Sequence, residues 1–142
     1  MFGFFNNKVF DKGWLPPYEG HEIYYQQMGN PKGEVVLNFH GGPGDYCKES
    51  HGQYFNLKKQ RVIMFDQRGC KRSKAEDIVS LNDTKRLLKD AKRVLDHLGI
   101  KDKVIVSGGS WGSTLALLFA ERYPEITKSI VVYSIFLARR ED

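Results

Sequence analysis

The sequence has only two cysteines, Cys47 and Cys70. That is too few for a disulfide framework, and it points to a reduced, cytoplasmic setting. No run of about 18 apolar residues occurs, which excludes a membrane-spanning helix of the usual kind and leaves no membrane partner to expect. The opening stretch, Met1-Phe2-Gly3-Phe4-Phe5-Asn6-Asn7, lacks a basic segment and a long apolar core, so a secretory signal is not expected. Internal repeats, low-complexity tracts and linkers are also missing, and 142 residues read as a single domain over 1–142. Charge is not strongly one-sided: 22 Lys and Arg face 17 Asp and Glu, for a net +5. The basic residues are dispersed, and their densest cluster, Lys85 to Arg93, is interleaved with a helical apolar pattern, so no nucleic-acid partner is expected. What remains, 41% apolar and 27% charged residues, is the composition of a globular domain rather than a disordered chain.

Short apolar runs then alternate with helical patterns. The first dozen residues show no clear period, and Pro16 and Pro17 keep 14–17 extended. His21 to Met28 reads as a strand, closed by Gly29-Asn30-Pro31, and Glu34 to Phe39 and Arg61 to Phe65 read as buried strands. Asp83 to Leu98 is a helix: Leu87, Leu88, Ala91, Val94, Leu95 and Leu98 share one face, Asn82 or Asp83 caps the start, and Gly99 ends it. Lys103 to Val106 is another buried strand. Trp111 to Arg122 is a helix apolar almost all round, expected in the interior and stopped by Tyr123-Pro124. Ser129 to Tyr133 is a last buried strand. Strands apolar on both faces, alternating with helices, define an α/β fold with a mostly parallel sheet and flanking helices.

In such sheets chemistry sits beyond the carboxyl ends of the strands. Gly108-Gly109-Ser110-Trp111-Gly112 lies there, between a strand and a helix, and matches G-x-S-x-G. A sharp strand-to-helix turn crowds the positions two before and two after the serine, so glycines at 108 and 112 leave room for it. Ser110 is then a nucleophile on a strained turn, above a helix N-terminus that favours developing negative charge. A phosphate-binding P-loop would need Gly-Lys-Ser/Thr, and a dinucleotide fingerprint G-x-G-x-x-G; neither occurs. His40-Gly41-Gly42-Pro43-Gly44 follows the first central strand. Acyl transfer needs two N–H groups aimed at the oxyanion, here the backbone N–H of Trp111 and of Gly42. His40 is read as a structural hydrogen-bonding residue rather than a base. The segment from Asp66 to Ser73 (DQRGCKRS) supplies an Asp and Arg for a structural ion pair at the mouth of the site, and Cys70 is read as a small buried residue, not a nucleophile.

His40-Gly41-Gly42-Pro43-Gly44, the run from Phe65 to Cys70 (FDQRGC) and the run from Gly108 to Leu117 (GGSWGSTLAL) together resemble the proline iminopeptidases, which are α/β-hydrolase-fold serine exopeptidases. Asn82-Asp83-Thr84, Leu98-Gly99-Ile100 and the run from Ile135 to Arg140 (IFLARR) are similar to the corresponding family stretches. The likeness runs from about Trp14 to the last residue. Lys71 stands where the family usually has Gly, and Asp45 follows a loop that usually continues with more Gly. The resemblance implies release of an N-terminal proline from a peptide, with Ser110 attacking the proline carbonyl and no metal or organic cofactor. Epoxide hydrolases carry Asp at the elbow, which Ser110 argues against; another esterase or amidase is the alternative.

A serine nucleophile needs a base and an orienting carboxylate, which in this fold follow it in the chain. The histidines are His21, His40, His51 and His97, all before Ser110; the acids after it are Glu121, Glu125, Glu141 and Asp142. The resemblance therefore implies the N-terminal portion of an α/β-hydrolase core, with the cap and C-terminal strands absent. Such a chain is expected to be inactive alone and poorly soluble or marginally folded, with an unpaired apolar edge at 129–133, and to leave room for a complementing C-terminal chain as partner.

Overall fold

The computed structural model describes residues 9–137 and Arg139. Among the described residues, eight strands and two α-helices follow in chain order: β1 (Val9–Trp14), β2 (His21–Glu22), β3 (Tyr24–Gly29), β4 (Glu34–Phe39), β5 (Gln60–Phe65), β6 (Lys74–Ala75), α1 (Thr84–His97), β7 (Val104–Ser110), α2 (Trp111–Arg122) and β8 (Thr127–Ile135). Six strands form one sheet in the order β1-β3-β5-β4-β7-β8. β5, β4, β7 and β8 run parallel to one another. β1 and β3 extend the sheet antiparallel. β2 and β6 pair separately as a small ribbon.

Period-two alternation assigns the two faces of the central strands. Leu37, Phe39, Ile63, Phe65, Val104 and Val106 point to one face, where both helices pack: Leu87, Leu88, Ala91, Val94 and Leu95 from α1, and Leu115, Ala116 and Phe119 from α2. Val36, Val62 and Met64 point the other way, into a smaller cluster with Tyr24, Met28, Cys47 and Leu57. Among the described residues, both α-helices therefore lie on one face, and the loop carrying a 3₁₀ turn at Glu49–Tyr54 covers the other.

Local signals act where expected. The Asp83 carboxylate accepts the Arg86 N–H at 2.9 Å and caps α1; Gly99, at φ +68°, closes it. The expected strand over 21–28 is instead two strands, because His21–Glu22 pairs with Lys74–Ala75 while Tyr24 onward joins the main sheet. The strand beginning near 103 runs on to Ser110. The expected burial of 129–133 is corrected: β8 lies at the sheet edge, with Val131 54% and Tyr133 40% exposed. α2 is likewise only half enclosed, with Gly112, Ser113, Leu115, Ala116 and Phe119 buried and the rest partly or fully exposed. No helix among the described residues is long and apolar enough to cross a membrane.

Candidate active site

Ser110 is the last residue of β7 and the cap of α2, at φ 54°, ψ −125°. A positive φ at a residue with a side chain is strained, and such strain persists only where the surroundings hold it. They do so here by close approach. A Cβ at Gly108 would stand 2.2 Å from the Gly112 carbonyl oxygen, and a Cβ at Gly112 would stand 2.2 Å from the Phe39 carbonyl oxygen. The turn thus brings β7, α2 and the end of β4 to contact distances that only glycine permits. Gly109 is pressed in the same way by the Tyr133 ring, 2.2 Å from where its Cβ would be.

The glycine loop after β4 abuts this turn. A Cβ on Gly41 would lie 3.7 Å from the Ser110 Cβ. Gly42 has φ +118°, and a side chain there would collide with the Gly44 nitrogen at 2.5 Å, so the loop folds back tightly beside the serine. Trp111, the first residue of α2, has one of the backbone N–H groups that a helix start leaves without an intrahelical acceptor. Gly44, at φ +99°, has open space around it.

A polar chain fixes the loop to the elbow. Gln67 donates its backbone N–H to His40 Nε2 at 3.0 Å and its side-chain amide to the His40 carbonyl at 2.9 Å. Trp111 Nε1 donates to Gln67 Oε1 at 3.1 Å. His40 Nδ1 lies 2.8 Å from the Gly41 carbonyl, so it carries the proton while Nε2 accepts. Burial holds the His40 pKa below the usual histidine value, with the Gly41 carbonyl opposing. A neutral ring with both nitrogens engaged is a brace, which agrees with the structural role expected for it.

Asp66 and Arg72 form an ion pair, Arg72 Nε to Asp66 Oδ2 at 2.8 Å, but neither lines the cavity at Ser110, so the pair is not at the mouth expected for it. Asp66 also accepts the Cys47 N–H at 2.8 Å, and Arg72 donates to the Cys47 carbonyl, so the pair ties the loop after Gly44 to the end of β5. Burial pushes the Asp66 carboxyl up, but hydrogen bonds from Arg72 and Cys47 outweigh it and hold the pKa below the usual range. Arg68 goes elsewhere: it makes a fully buried bond to Asp90 of α1 at 2.6 Å and another to Glu19 at 2.9 Å. Cys70 is buried, and its thiol pKa is raised by that burial, as suits an inert residue.

Ser110 opens into a cavity of about 190 Å³ with His40, Gly41 and Gly109 in its walls. Sequence reasoning missed six further lining residues: His51, Tyr54, Asn38, Phe39, Tyr133 and Ser134. No local motif marks them; the loop over the helix-free face brings the first two. His51 is not placed as a base. Its Nδ1 accepts the Lys48 N–H at 3.3 Å, so the other ring nitrogen of the neutral form carries the proton. Burial and the Lys48 charge lower its pKa, against an opposing pull from Asp45. His21 is bonded to the Ser80 carbonyl at 2.8 Å, and His97 packs edge-on against Tyr25. His21, His40 and His51 thus each hold a ring nitrogen in a hydrogen bond to a group other than Ser110. Among the described residues, no group of three or more His, Cys, Asp or Glu is placed to hold a metal ion.

Ser110 thus sits on a strained strand–helix bend, beside a glycine loop at the carboxyl end of a parallel sheet, and the chain belongs to the alpha/beta hydrolase fold family, whose pattern matches residues 34–139. Its curated relatives are more specific. It is 42% identical over 131 residues to the proline iminopeptidase of Xylella fastidiosa strain Temecula1, covering 92% of this chain and 42% of that protein. It is also 42% identical over 130 residues to the proline iminopeptidase of Neisseria meningitidis serogroup A, again covering 92% of this chain and 42% of the relative. The crystal structure of a proline iminopeptidase-related protein from Thermus thermophilus superposes with a TM-score of 0.74 at 27% identity, over 88% of this chain and 44% of that one. The chain spans less than half the length of the curated relatives it matches.

Proposed function

We propose that Ser110 is the nucleophile of a serine hydrolase that releases N-terminal proline from peptides. The observation that carries the reading is the positive-φ Ser110 between β7 and α2 with Gly41 against it. The Ser110 hydroxyl attacks the proline carbonyl carbon, its proton passing to a base, and a tetrahedral oxyanion forms. The N–H groups of Trp111 and Gly42 stabilise that oxyanion. The C–N bond then breaks, the peptide amine leaves with a proton, and water hydrolyses the prolyl ester on Ser110. The similarity to proteins named proline iminopeptidase supports the choice of substrate.

The base and its carboxylate are not among the described residues around Ser110, and the chain is inactive alone on this reading. A C-terminal portion carrying an Asp and a His completes the site, either in the same polypeptide or as a separate complementing chain. The test is hydrolysis of a fluorogenic proline amide by this chain, alone and co-expressed with the C-terminal portion of a relative. The expected result is turnover only in the complex, lowered by roughly four orders of magnitude or more in Ser110→Ala. Turnover of simple esters but not of the proline amide would favour a general esterase. Turnover by the lone chain that Ser110→Ala abolishes would overturn the incomplete-site reading.

A further inference from the structure

A cavity of about 240 Å³ is walled by Lys85, Arg86 and Lys89 from the start of α1, Arg122 and Tyr123 from the end of α2, and Glu19 from the loop after β1. It shares no lining residue with the cavity at Ser110. Four cations face one carboxylate, and that carboxylate is already engaged. Glu19 Oε2 accepts from Arg68 Nη1 and from Arg86 Nε, each at 2.9 Å. The Arg68 bond, with Arg86 behind it, holds the Glu19 carboxyl below its usual value. Arg86 is matched by Glu19 and by Asp83. Lys89 Nζ donates to a hydroxyl, that of Tyr18, rather than to a carboxylate. Lys85 and Arg122 make no ion pair among the described residues, and Arg122 lies over the Tyr123 ring, 5.1 Å from its centre. Glu121 and Glu125, the acids nearest Arg122 in the chain, line no part of the space. Lys85, Lys89 and Arg122 are therefore left without a counter-charge on one concave surface.

Nothing in the folding of α1 asks for this arrangement. Lys85 and Lys89 stand four apart on one helix face, where like charges repel. With Arg86 they fall in the first turns of α1, the end at which cations are disfavoured, and no acid accompanies them in the first turn. Cations converging on a concavity raise its potential and draw anions into it. The chemistry of the wall narrows the class. No aliphatic side chain lines it, so a fatty anion gains nothing there. Arginine and lysine are the groups that recognise phosphate, one as a planar fork and the other as a point charge. Three unmatched charges call for an anion bearing more than one charge. Donors arriving from two helices call for oxygens that point in several directions.

We propose that this cavity binds a phosphate chain, a pyrophosphate group either free or carried by a nucleotide. Lys85, Lys89 and Arg122 donate to its oxygens, and Glu19, held by Arg68 and Arg86, is the wall from which the anion stays clear. Seated there, the anion bridges the start of α1 to the end of α2 and stabilises the chain by mass action. The site goes beyond the acyl-transfer reading and does not require it, because none of its residues takes part in that chemistry.

Pyrophosphate titrated into the ¹⁵N-labelled full chain at low ionic strength tests the proposal. Saturable shifts are expected at the amides of Lys85, Arg86, Lys89, Arg122 and Tyr123, with a melting temperature that rises with pyrophosphate concentration. Lys85→Gln and Arg122→Gln each weaken binding about fivefold and reduce that rise, the loss of one exposed charge contact. Both side chains are exposed and free of ion pairs, so the variants keep the fold. Lys58→Gln with Lys59→Gln, which removes the same kind of charge from another surface, leaves the affinity unchanged. So does Ser110→Ala, which tells failure of the peptidase reading from failure of this one. ADP binding as tightly as pyrophosphate supports a free phosphate chain as sufficient, and ADP binding more tightly supports a nucleotide. Adenosine or citrate binding as tightly as pyrophosphate would overturn the proposal. So would shifts that do not saturate or lie elsewhere, or an equal loss of affinity in the Lys58 and Lys59 variant.

Discussion

Asp66 has no exposed surface, yet it accepts three hydrogen bonds from Arg72 and one from the Cys47 amide. Its carboxyl is therefore held below the ordinary value near 3.9. A depressed carboxyl stabilises the fold fully above the unfolded value, and that stabilisation is lost as pH falls below about 4 toward the folded value. His40, lowered by burial, has a window nearer neutrality: its contribution is complete above about 6.5 and declines as pH falls from there, because the unfolded ring takes the proton first. Urea unfolding across pH should show two acid steps. Asp66→Asn shrinks the lower step, which Glu19, Asp45, Asp77 and Asp83 share, keeps the upper, and costs about 1–3 kcal/mol at pH 7 through lost bonds to Arg72. A lower step unchanged in Asp66→Asn would show that the pair does not carry it. Residues of this kind divide what is legible from what is not. Gly108 and Ser110 are readable because their constraint is local, one turn crowding its own flank, whereas Gly112 is crowded by the Phe39 carbonyl at the end of β4. Lys85 and Arg122 are far apart in the chain, and only the packing of α1 and α2 brings them to one cavity.

The two edge strands of the sheet are built differently. β1 carries Asp11 and Lys12 and a register irregularity between Val9 and Asp11, features that discourage edge pairing. β8 has neither charge nor proline from Ser129 to Ile135, and Ile130, Val131, Tyr133 and Ile135 are exposed. Its outer row of backbone groups is an open template. Ile130→Lys, a lysine in the middle of that edge, should leave stability within about 0.5 kcal/mol, since the side chain is 41% exposed. It should also raise several-fold the concentration at which light scattering departs from the monomer. Scattering unchanged by the lysine would place the association elsewhere. The same contrast explains what the sequence conceals. β1 hides because its inward positions are Val9, Asp11 and Gly13 while Phe10 and Trp14 face out, the reverse of the usual alternation. Asp11 is inward to accept from Gln27 at 2.6 Å. The apolar run of β8 signals burial truly as a composition, but burial depends on a cover that no local pattern supplies. α1 is legible because a cap, a stripe and a glycine stop are all local, whereas the bounds of α2 are legible from the serine turn and Tyr123-Pro124 but its partial exposure is not.

Across the molecule, enclosure falls from the middle of the sheet outward. β4, β5 and β7 are paired on both sides, and Leu37, Phe39, Ile63, Phe65, Val104 and Val106 are at most 1% exposed. β8 is hydrogen-bonded to one strand only among the described residues and shows most of its residues to solvent. Local opening free energy follows such gradients of enclosure. Native-state hydrogen exchange should therefore be slowest at the bonded amides of β4, β5 and β7. Those of β8 should exchange at least about 100-fold faster, through openings that leave the rest of the sheet intact. Because the chain spans less than half of its curated relatives, a complementing C-terminal portion that seats against this side would change the pattern directionally. It would slow β8 first and most, and the central strands only through the rise in global stability. Equal protection from β4 to β8 in the lone chain would mean that the edge is already held, and that the sheet unfolds as one unit without any further cover.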